Sequence, residues 1–315
     1  MRIQRHQGLG RLHPLVLTGL LALIIAACGG GAAATATPTT LLPSTAPIDP
    51  GTPSSAAPSP TTATVEVGKE AWFAGFHVTL GTATAEIKSG KGGTVKIEAK
   101  FENTGDVDAR LDATITLVSA GETATEGFDQ DIPSVPGGTT GKGLFSFGVE
   151  DSFSFDDAVL TLGLPTNQQA VVPLGTSGEA VTREPVKLTV TGTGKAGDLQ
   201  IDLAGAEMRA DSPWKHGQQK KGSLVVTFDY SATFKSGFAG GFAFTGENVA
   251  LKLPDGTTVG VVQDGRSQSI ELIGPNSTKK GLFSRFEIED PAAGSYAFLV
   301  RSFDNAVDEI EFTIG

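Results

Sequence analysis

Histidine is the side chain on which most nucleophilic and metal-dependent sites depend, and this sequence offers few of them. Four histidines occur among the 315 residues, and His77 and His216 are the two beyond the N-terminal leader described below. His77 stands in the alternating run Phe-His-Val-Thr-Leu, and His216 follows Trp214 and Lys215 in a polar stretch. Neither lies in a nucleophile motif or has the spacing of a metal-ligand set. The sequence therefore predicts a protein that is not an enzyme and holds no cofactor.

Acidic residues are the remaining candidates for chemistry. Calcium takes about six to eight oxygen ligands, commonly from acids at alternating positions of a glycine-containing loop. Asp129 and Asp131 alternate in this way, but no complete loop of this kind surrounds them. Acidic residues also solvate the turns at sheet corners, and we favour that interpretation. We predict no metal site, with Asp129 and Asp131 as the positions at which one could be tested.

A run of phenylalanines alternates with small residues between positions 234 and 244. Phe234, Phe238 and Phe242 predict a loop that binds a partner, because exposed apolar patches usually mark interaction sites. The alternative is that Phe242 and Phe244 belong to the next strand and point into the core, which leaves Phe238 exposed. Trp214 is a second candidate for an exposed aromatic contact, although a single tryptophan in a loop can also plug the end of a core.

The N-terminus has the pattern of a secretory leader. Arg2, Arg5 and Arg11 form a basic segment, and residues 15–27 follow as a 13-residue apolar stretch. A membrane-spanning helix needs roughly 20 apolar residues, so this stretch fits a signal peptide better than a stable membrane crossing. The chain's only cysteine, Cys28, comes directly after it.

The segment Ile25, Ala26, Ala27 and Cys28 resembles the lipobox of bacterial lipoproteins. The resemblance implies that residues 1–27 are removed and that the thiol of Cys28 carries lipid. Two or more acyl chains give stable membrane anchoring, so we expect an extracytoplasmic protein held on a bacterial cell membrane. The alternative is an incidental cysteine beside an ordinary cleavage site. Because Cys28 is alone, no disulfide can form within the chain.

The charge balance limits the possible partners. Removing the leader leaves 21 Lys and Arg against 35 Asp and Glu, a net charge of −14. Nucleic acid and anionic lipid would not attract such a surface. The sequence therefore predicts no nucleic-acid partner, and the charge itself is explained by solubility.

Residues 28–64 predict a tether. The segment after Cys28 is rich in Thr, Pro, Ser and Ala, with seven prolines and a single charge at Asp49. Such a composition cannot bury enough apolar surface to offset its ordering entropy. We expect a disordered spacer between the lipid and the folded part.

Beyond the tether the sequence predicts an all-β protein. Short apolar runs are separated by Gly, Asn, Asp and Pro at intervals typical of β-sandwiches. In residues 94–101 Val95, Ile97, Ala99 and Phe101 alternate with polar residues, which defines one buried face. The runs in the first half of the folded part cover residues 76–87, 94–101, 111–118, 143–149 and 158–164.

The second half of the sequence repeats the first. TTGKGLFS from Thr139 returns as STKKGLFS from Ser277, TVKIEAKF from Thr94 corresponds to SLVVTFDY from Ser223, and ITLVSAGET corresponds to LKLPDGTT in between. The order is preserved, and the offsets differ only by loop-sized insertions. The repeat predicts two tandem β-sandwich domains, at residues 65–176 and 182–315.

Three turn motifs in the first copy carry a family resemblance. Val67 and Gly68 open the unit, Asn-Thr-Gly at 103–105 follows a long strand, and Pro136-Gly137 precedes a phenylalanine-containing strand. This pattern resembles the DUF4352 type of immunoglobulin-like domain found in secreted bacterial lipoproteins. The resemblance is weaker in the second copy, where the Asn-Thr-Gly turn is replaced. It implies an immunoglobulin-like fold and an extracytoplasmic setting, without an established activity.

These features predict a surface-anchored binding or structural display module. Its partners would be the membrane, through the lipid on Cys28, and a protein or glycan of the cell envelope or the extracellular space. One alternative is a solute-capture lipoprotein of a transport system, although the alternating helix and strand pattern of that class is absent. Another is an envelope hydrolase that uses paired carboxylates across a groove.

Overall fold

The computed structural model describes residues 59–315 apart from Phe128, Gln268 and Asp290. In this part of the chain the secondary structure consists of antiparallel strands and two short 3-10 helices, Pro213–Lys215 and Gly246–Asn248, without an α-helix. The all-β prediction is confirmed. No helix among these residues has the length and apolar character that crossing a membrane requires. Cys28, the leader and most of the predicted tether lie outside the described residues.

The first half of the folded part (residues 61–174) contains twelve strands, which follow the alternation of apolar and polar residues in the sequence. They are β1 Thr61–Glu66, β2 Glu70–Phe73, β3 Phe76–Lys88, β4 Gly92–Asn103, β5 Ala109–Arg110, β6 Ile115–Ser119, β7 Glu122–Thr123, β8 Thr125–Glu126, β9 Ser134–Val135, β10 Thr140–Val149, β11 Val159–Leu162 and β12 Ala170–Pro173.

The second half (residues 186–315) contains the remaining strands. They are β13 Val186–Leu188, β14 Gly192–Ala196, β15 Leu199–Arg209, β16 Asp211–Ser212, β17 Gly217–Gln218, β18 Ser223–Phe234, β19 Phe242–Phe244, β20 Val249–Lys252, β21 Thr258–Val259, β22 Glu271–Ile273, β23 Ser277–Glu289, β24 Gly294–Arg301 and β25 Val307–Ile314.

Each half contains two antiparallel sheets around a core of its own. In the first half, one sheet has the order β1-β3-β4-β10-β8 with β2 beside β3, and the other has the order β12-β11-β6-β7. Their inner faces meet in a core formed by residues between Val67 and Leu174. Val95, Ile97 and Phe101 of β4 are buried there, as the alternation of that strand predicts.

The second half has the same strand order, except that β8 has no equivalent in it and the hairpin of β16 and β17 has none in the first half. One sheet runs β13-β15-β18-β23 with β14 beside β15, and the other runs β21-β20-β24-β25. The short ribbon of β5 and β9 in the first half corresponds to that of β19 and β22. A β-bulge interrupts the ladder of β3 and β4, and another interrupts the ladder of β15 and β18. The segments matched in the sequence repeat therefore fall on strands with equivalent positions, namely β4 and β18, β6 and β20, and β10 and β23.

The two halves meet end to end. We call the end of a half at which its first strand begins the near end, and the opposite end the far end. The register of β1 against β3 places Thr61 opposite Ile87, so the described chain starts at the near end of the first half. The hairpin of β16 and β17, between residues 210 and 222 at the near end of the second half, contacts the far end of the first half. The described residues of both halves belong to one compact unit.

A buried ion pair lies at this junction. The Arg209 guanidinium donates to the Asp211 carboxylate at 2.7 Å, and the Asp211 side chain is 3% exposed. Asp211 also accepts the backbone N–H of Gly75 from the first half at 2.7 Å, and Arg209 donates to the Thr104 hydroxyl at 3.0 Å. A buried charge is tolerated when it is paired and hydrogen-bonded. This pair thereby connects the two halves.

The Asn-Thr-Gly turn of the first half belongs to the junction. The Asn103 side chain is fully buried and donates to the carbonyl oxygens of Val107 and Val135, both at 2.8 Å. It also accepts the N–H of Gly105, and a Cβ on Gly105 would lie 3.1 Å from the Pro213 carbonyl oxygen. The turn that carries the family resemblance is thus a structural contact between the halves.

One boundary differs from the sequence prediction. The predicted tether extends to residue 64, but β1 begins at Thr61 and pairs with β3 from that residue onward. Threonine is a good strand former, and the free edge of β3 supplies hydrogen-bond partners to the segment. The Thr-rich composition that predicts a spacer is therefore compatible with an edge strand in its last residues.

Candidate functional site: the far end of the second half

The phenylalanine-rich segment forms the loop between β18 and β19 at the far end of the second half. The loop turns at residues 238–241, where the N–H of Gly241 donates to the Phe238 carbonyl oxygen at 3.0 Å. Gly241 has a φ of +68°, and a Cβ there would lie 2.5 Å from the Ile273 carbonyl oxygen. Glycine is therefore needed at this position for both conformation and space.

Phe238 is the exposed member of the segment, with 65% of its surface accessible. Its ring lies against Gly240, where a Cβ would be 2.6 Å from the ring. Phe303, in the loop between β24 and β25, is 66% exposed and stacks on Phe242 with ring centroids 4.6 Å apart. Two exposed phenylalanines therefore lie on loops of one end of the molecule.

The other predicted aromatic residues lie elsewhere or are buried. Phe234 and Phe242 pack against each other in the core of the second half, with ring centroids 5.5 Å apart. They offer no exposed surface, because they occupy inward positions at the end of β18 and the start of β19. The candidate binding surface at this loop is thus restricted to Phe238, as the alternative interpretation of the sequence predicts.

Trp214 is not part of this end. It lies half-buried in the 3-10 helix Pro213–Lys215 at the near end of the second half, and the Arg285 guanidinium lies 3.8 Å from its ring centroid. Arg285 in turn donates to the fully buried Asp264 carboxylate at 2.6 Å. Trp214 therefore covers a buried cation, which is a structural role for a loop tryptophan.

Phe303 is the one aromatic residue of this end that the sequence pattern does not indicate. It lies in a short hairpin turn, in which the N–H of Ser302 donates to the Ala306 carbonyl oxygen. Its sequence signal is a bulky apolar residue between Ser302 and Asp304, in a turn where polar residues are usual. Its proximity to the phenylalanine loop depends on the pairing of β24 with its neighbours, which sequence spacing does not reveal.

Asp129 and Asp131 do not converge. The Asp129 carboxylate accepts a hydrogen bond from the Ser146 hydroxyl and lies 2.6 Å from the Lys96 ammonium group. The hydrogen bond from Lys96, followed by that from Ser146, lowers the pKa of Asp129 below its ordinary value. Asp131 instead pairs through its backbone with Leu144. Within residues 59–315, as far as they are described, no group of three or more His, Cys, Asp or Glu side chains is placed to hold a metal ion.

The two histidines of the folded part are also accounted for by local contacts. The two ring nitrogens of His77 lie 3.1 Å from Glu70 and 3.3 Å from Glu102, and its ring stacks on Trp72 with centroids 4.3 Å apart. These groups lie on the outer face of the first sheet. His216 ends the 3-10 helix at the junction in a left-handed conformation. Neither histidine is hydrogen-bonded to a hydroxyl or thiol nucleophile among the described residues.

The far end of the second half can therefore offer apolar contact from two aromatic rings on a rigid base of buried phenylalanines. Rings of this kind bury large apolar areas on association, but they bring no acid, base or nucleophile to the surface. Neither a scan against models of protein families nor a search of curated sequences finds a match to this chain.

Proposed function

We propose that this chain is a lipid-anchored, extracytoplasmic lipoprotein that acts as a non-enzymatic binding or display module. Two immunoglobulin-like sandwiches, copies of one ancestral domain, present the far end of the second half to a protein or glycan partner outside the cytoplasm. The observation that carries the proposal is the exposure of Phe238 and Phe303 together at that end.

The order of the chain supports this arrangement. The described chain starts at the near end of the first half, and the junction covers the far end of the first half. The far end of the second half is therefore the end most distant from Thr61, at which the described strands begin. A chain anchored through Cys28 would hold this end away from the lipid, which suits display to a partner.

The pairing of charged side chains in ion pairs supports a non-enzymatic role. The carboxylates and cations at the best-formed clusters are already paired with one another, as in Arg209 with Asp211 and Lys96 with Asp129. Catalytic acids and bases need access to a substrate. Here these groups instead connect strands or join the halves.

The shared strand order of the halves supports duplication. Apart from the extra edge strand β8 of the first half, both have two equivalent sheets, an equivalent short ribbon and a bulge in the equivalent ladder. Bulges are retained as designed features of related folds. Together with the sequence repeat, this agreement favours two copies of one domain over two unrelated sandwiches.

The anchor is tested by replacing the cysteine. Cells expressing the full chain are labelled with radioactive palmitate, and the label and membrane association are compared between the wild type and Cys28→Ala. We expect the label to be lost and the variant to leave the membrane fraction. A labelled, membrane-bound Cys28→Ala protein would contradict the proposal.

The binding surface is tested separately. The full chain, its Phe238→Ser and Phe303→Ser double variant and a Val186→Ser control are incubated with fractionated envelope protein and glycan. Val186 is also an exposed apolar residue, at the near end of the second half. We expect retention by the wild type and the control but not by the double variant. Equal retention by all three would exclude the far end as the binding surface.

A further inference from the structure

A groove beside one sheet edge of the first half is filled by the chain, and among the described residues no segment fills the equivalent groove of the second half. The segment after β12 passes between β12 and β2. Val181 exchanges two backbone hydrogen bonds with Val171, at 2.9 and 2.8 Å. The next residue, Thr182, accepts the N–H of Trp72 at 2.8 Å through its hydroxyl. This segment lies antiparallel to β12 and pairs with its outer edge at Val171.

The equivalent edge strand of the second half is β25. It is the last strand of its sheet, and its 8 residues pair with β24 in a continuous register without a bulge. Among the described residues no segment pairs with its other side. Long, regular edge strands without proline or a bulge are templates for pairing with another chain.

The backbone groups that face this edge are identified by alternation. The N–H of Ser302 donates to the Ala306 carbonyl oxygen. Because hydrogen-bonded pairs alternate along an antiparallel ladder, the even-numbered residues of β25 direct their N–H and C=O groups toward β24. Glu309, Glu311 and Thr313 therefore direct their N–H and C=O groups outward. Their side chains lie on the exposed face of the sheet as well.

Asp308 partly occupies the groove. Its carboxylate accepts the N–H of Lys195 in β14 at 2.7 Å and the N–H of Glu309 at 3.0 Å. The Asp308 carboxylate oxygen accepts from the Glu309 N–H, which would otherwise donate to a carbonyl oxygen of an added strand. Asp308 thus satisfies two amides of the groove while no strand is bound.

Charge indicates what would fit the edge. The side chains of Glu309 and Glu311 point to the same face of the sheet. The Lys252 ammonium group lies 2.9 Å from the Glu309 carboxylate. Among the described residues no cationic group lies within 4 Å of the Glu311 carboxylate. A second copy of the chain is a poor occupant, because antiparallel pairing of two β25 strands about position 310 or 311 places glutamate opposite glutamate. Like charges directly opposite each other destabilise a strand pair.

We propose that the edge of β25 binds an extended segment of another polypeptide with Lys or Arg at alternate positions. The segment adds to the sheet as an antiparallel strand, as Val181 does at β12, and its basic side chains face Glu309 and Glu311. Its backbone supplies the carbonyl oxygen that displaces Asp308 from the Glu309 N–H. This site is separate from the phenylalanine end and does not depend on lipid anchoring.

The test uses a fluorescent peptide of alternating lysine and valine, as long as β25 (8 residues), and the full chain. We expect saturable binding by anisotropy and slower amide hydrogen exchange at residues 309–313. Glu311→Lys should weaken binding about ten-fold, whereas the exposed control Glu287→Lys should not. Asp308→Ala should tighten it, since the competing carboxylate is removed.

A peptide of the same charge that contains proline separates strand addition from simple attraction, because proline cannot donate to a ladder. Equal binding of the two peptides would overturn the proposal. Equal effects of Glu311→Lys and Glu287→Lys, or unchanged affinity in Asp308→Ala, would also overturn it. A dimer of the full chain that forms through β25 without binding the peptide would identify a second copy as the occupant instead.

Discussion

The far end of the first half is polar and covered, whereas the far end of the second half carries exposed phenylalanines. In the first half a short turn at residues 103–106 meets Pro213 and Arg209 of the second half. In the second half the corresponding loop is longer and glycine-rich, with Phe238 at its turn. The strands beneath the two ends have the same order.

This difference indicates that the scaffold does not determine what an end contacts. Asn103 fixes the first turn by hydrogen bonds to two neighbouring segments, and that turn then fits against the second half. In the second half, Phe242 and Phe234 fill the equivalent region with apolar contacts, and Phe303 stacks above them. The same fold thus yields an internal junction at one end and an apolar surface at the other.

The largest effect is expected at the junction. Arg209→Ala leaves the Asp211 carboxylate buried without its partner, and breaking a buried pair in this way costs about 3–5 kcal/mol. The free energy of unfolding in urea measures this loss. Lys252→Ala removes a half-exposed partner of Glu309 and is the control, with an expected cost of about 0–1 kcal/mol. Similar losses in the two variants would show that the Arg209 pair does not stabilise the junction.

A smaller loss of stability is expected when a methyl group is added at Gly75, where the two halves are in close contact. Gly75 has a φ of +85°, and a Cβ there would lie 2.8 Å from the Pro213 Cα. Gly121 has a similar φ of +77°, with nothing within 4 Å of its Cβ position. Both alanine variants carry backbone strain. The additional destabilisation of Gly75→Ala, about 1–3 kcal/mol, reports overpacking at the junction. Equal melting temperatures of the two variants would contradict this contact.

The strands and their repetition could be predicted from the sequence, because they follow local patterns. The alternation of Val95, Ile97, Ala99 and Phe101 defines a buried face by itself. The repeated GLFS segments fall on β10 and β23, which pair with the equivalent strands β4 and β18. Small strands such as β5 and β9 escape prediction, since two paired residues leave no periodic signal.

The candidate site could be predicted only in part. Phe238 stands out because it is surrounded by glycine and alanine in a loop. The burial of Phe234 depends on its pairing with Leu199 across two strands, and the position of Trp214 depends on Arg285, 71 residues further along the chain. Such contacts arise from strand register between distant segments. Composition and spacing do not encode them directly.

The ion pair of Lys96 and Asp129 in the first half predicts how stability depends on pH. Lys96 and Ser146 lower the pKa of Asp129 in the folded protein. The stability that this carboxylate contributes is present above its unfolded-state pKa of 3.8 and is lost as the pH falls through the lower folded-state value. Asp129→Asn should therefore flatten the dependence of the unfolding free energy on pH below about 4. Because the pair is half-exposed, high salt should reduce the difference between variant and wild type. An unchanged slope would contradict this contribution of the Asp129 carboxylate.

The smallest effect on stability is expected at the exposed phenylalanine. Phe238→Ser changes a largely exposed side chain and should alter the free energy of unfolding by no more than about 0.5 kcal/mol. Phe242→Ser, four residues later, removes a ring that is 4% exposed and contacts Phe234 and Phe303. Its expected cost is about 3–5 kcal/mol.

This pair of variants separates the two explanations for a phenylalanine-rich loop. If Phe238 served packing, its replacement would destabilise the second half in the way that replacement of Phe242 does. A residue that costs little to remove contributes little to the fold, and its exposed ring then requires another explanation. Contact with a partner is such an explanation, because apolar area exposed on a rigid base is released from water on binding. A large loss of stability in Phe238→Ser would show that Phe238 serves packing and would contradict its role in binding.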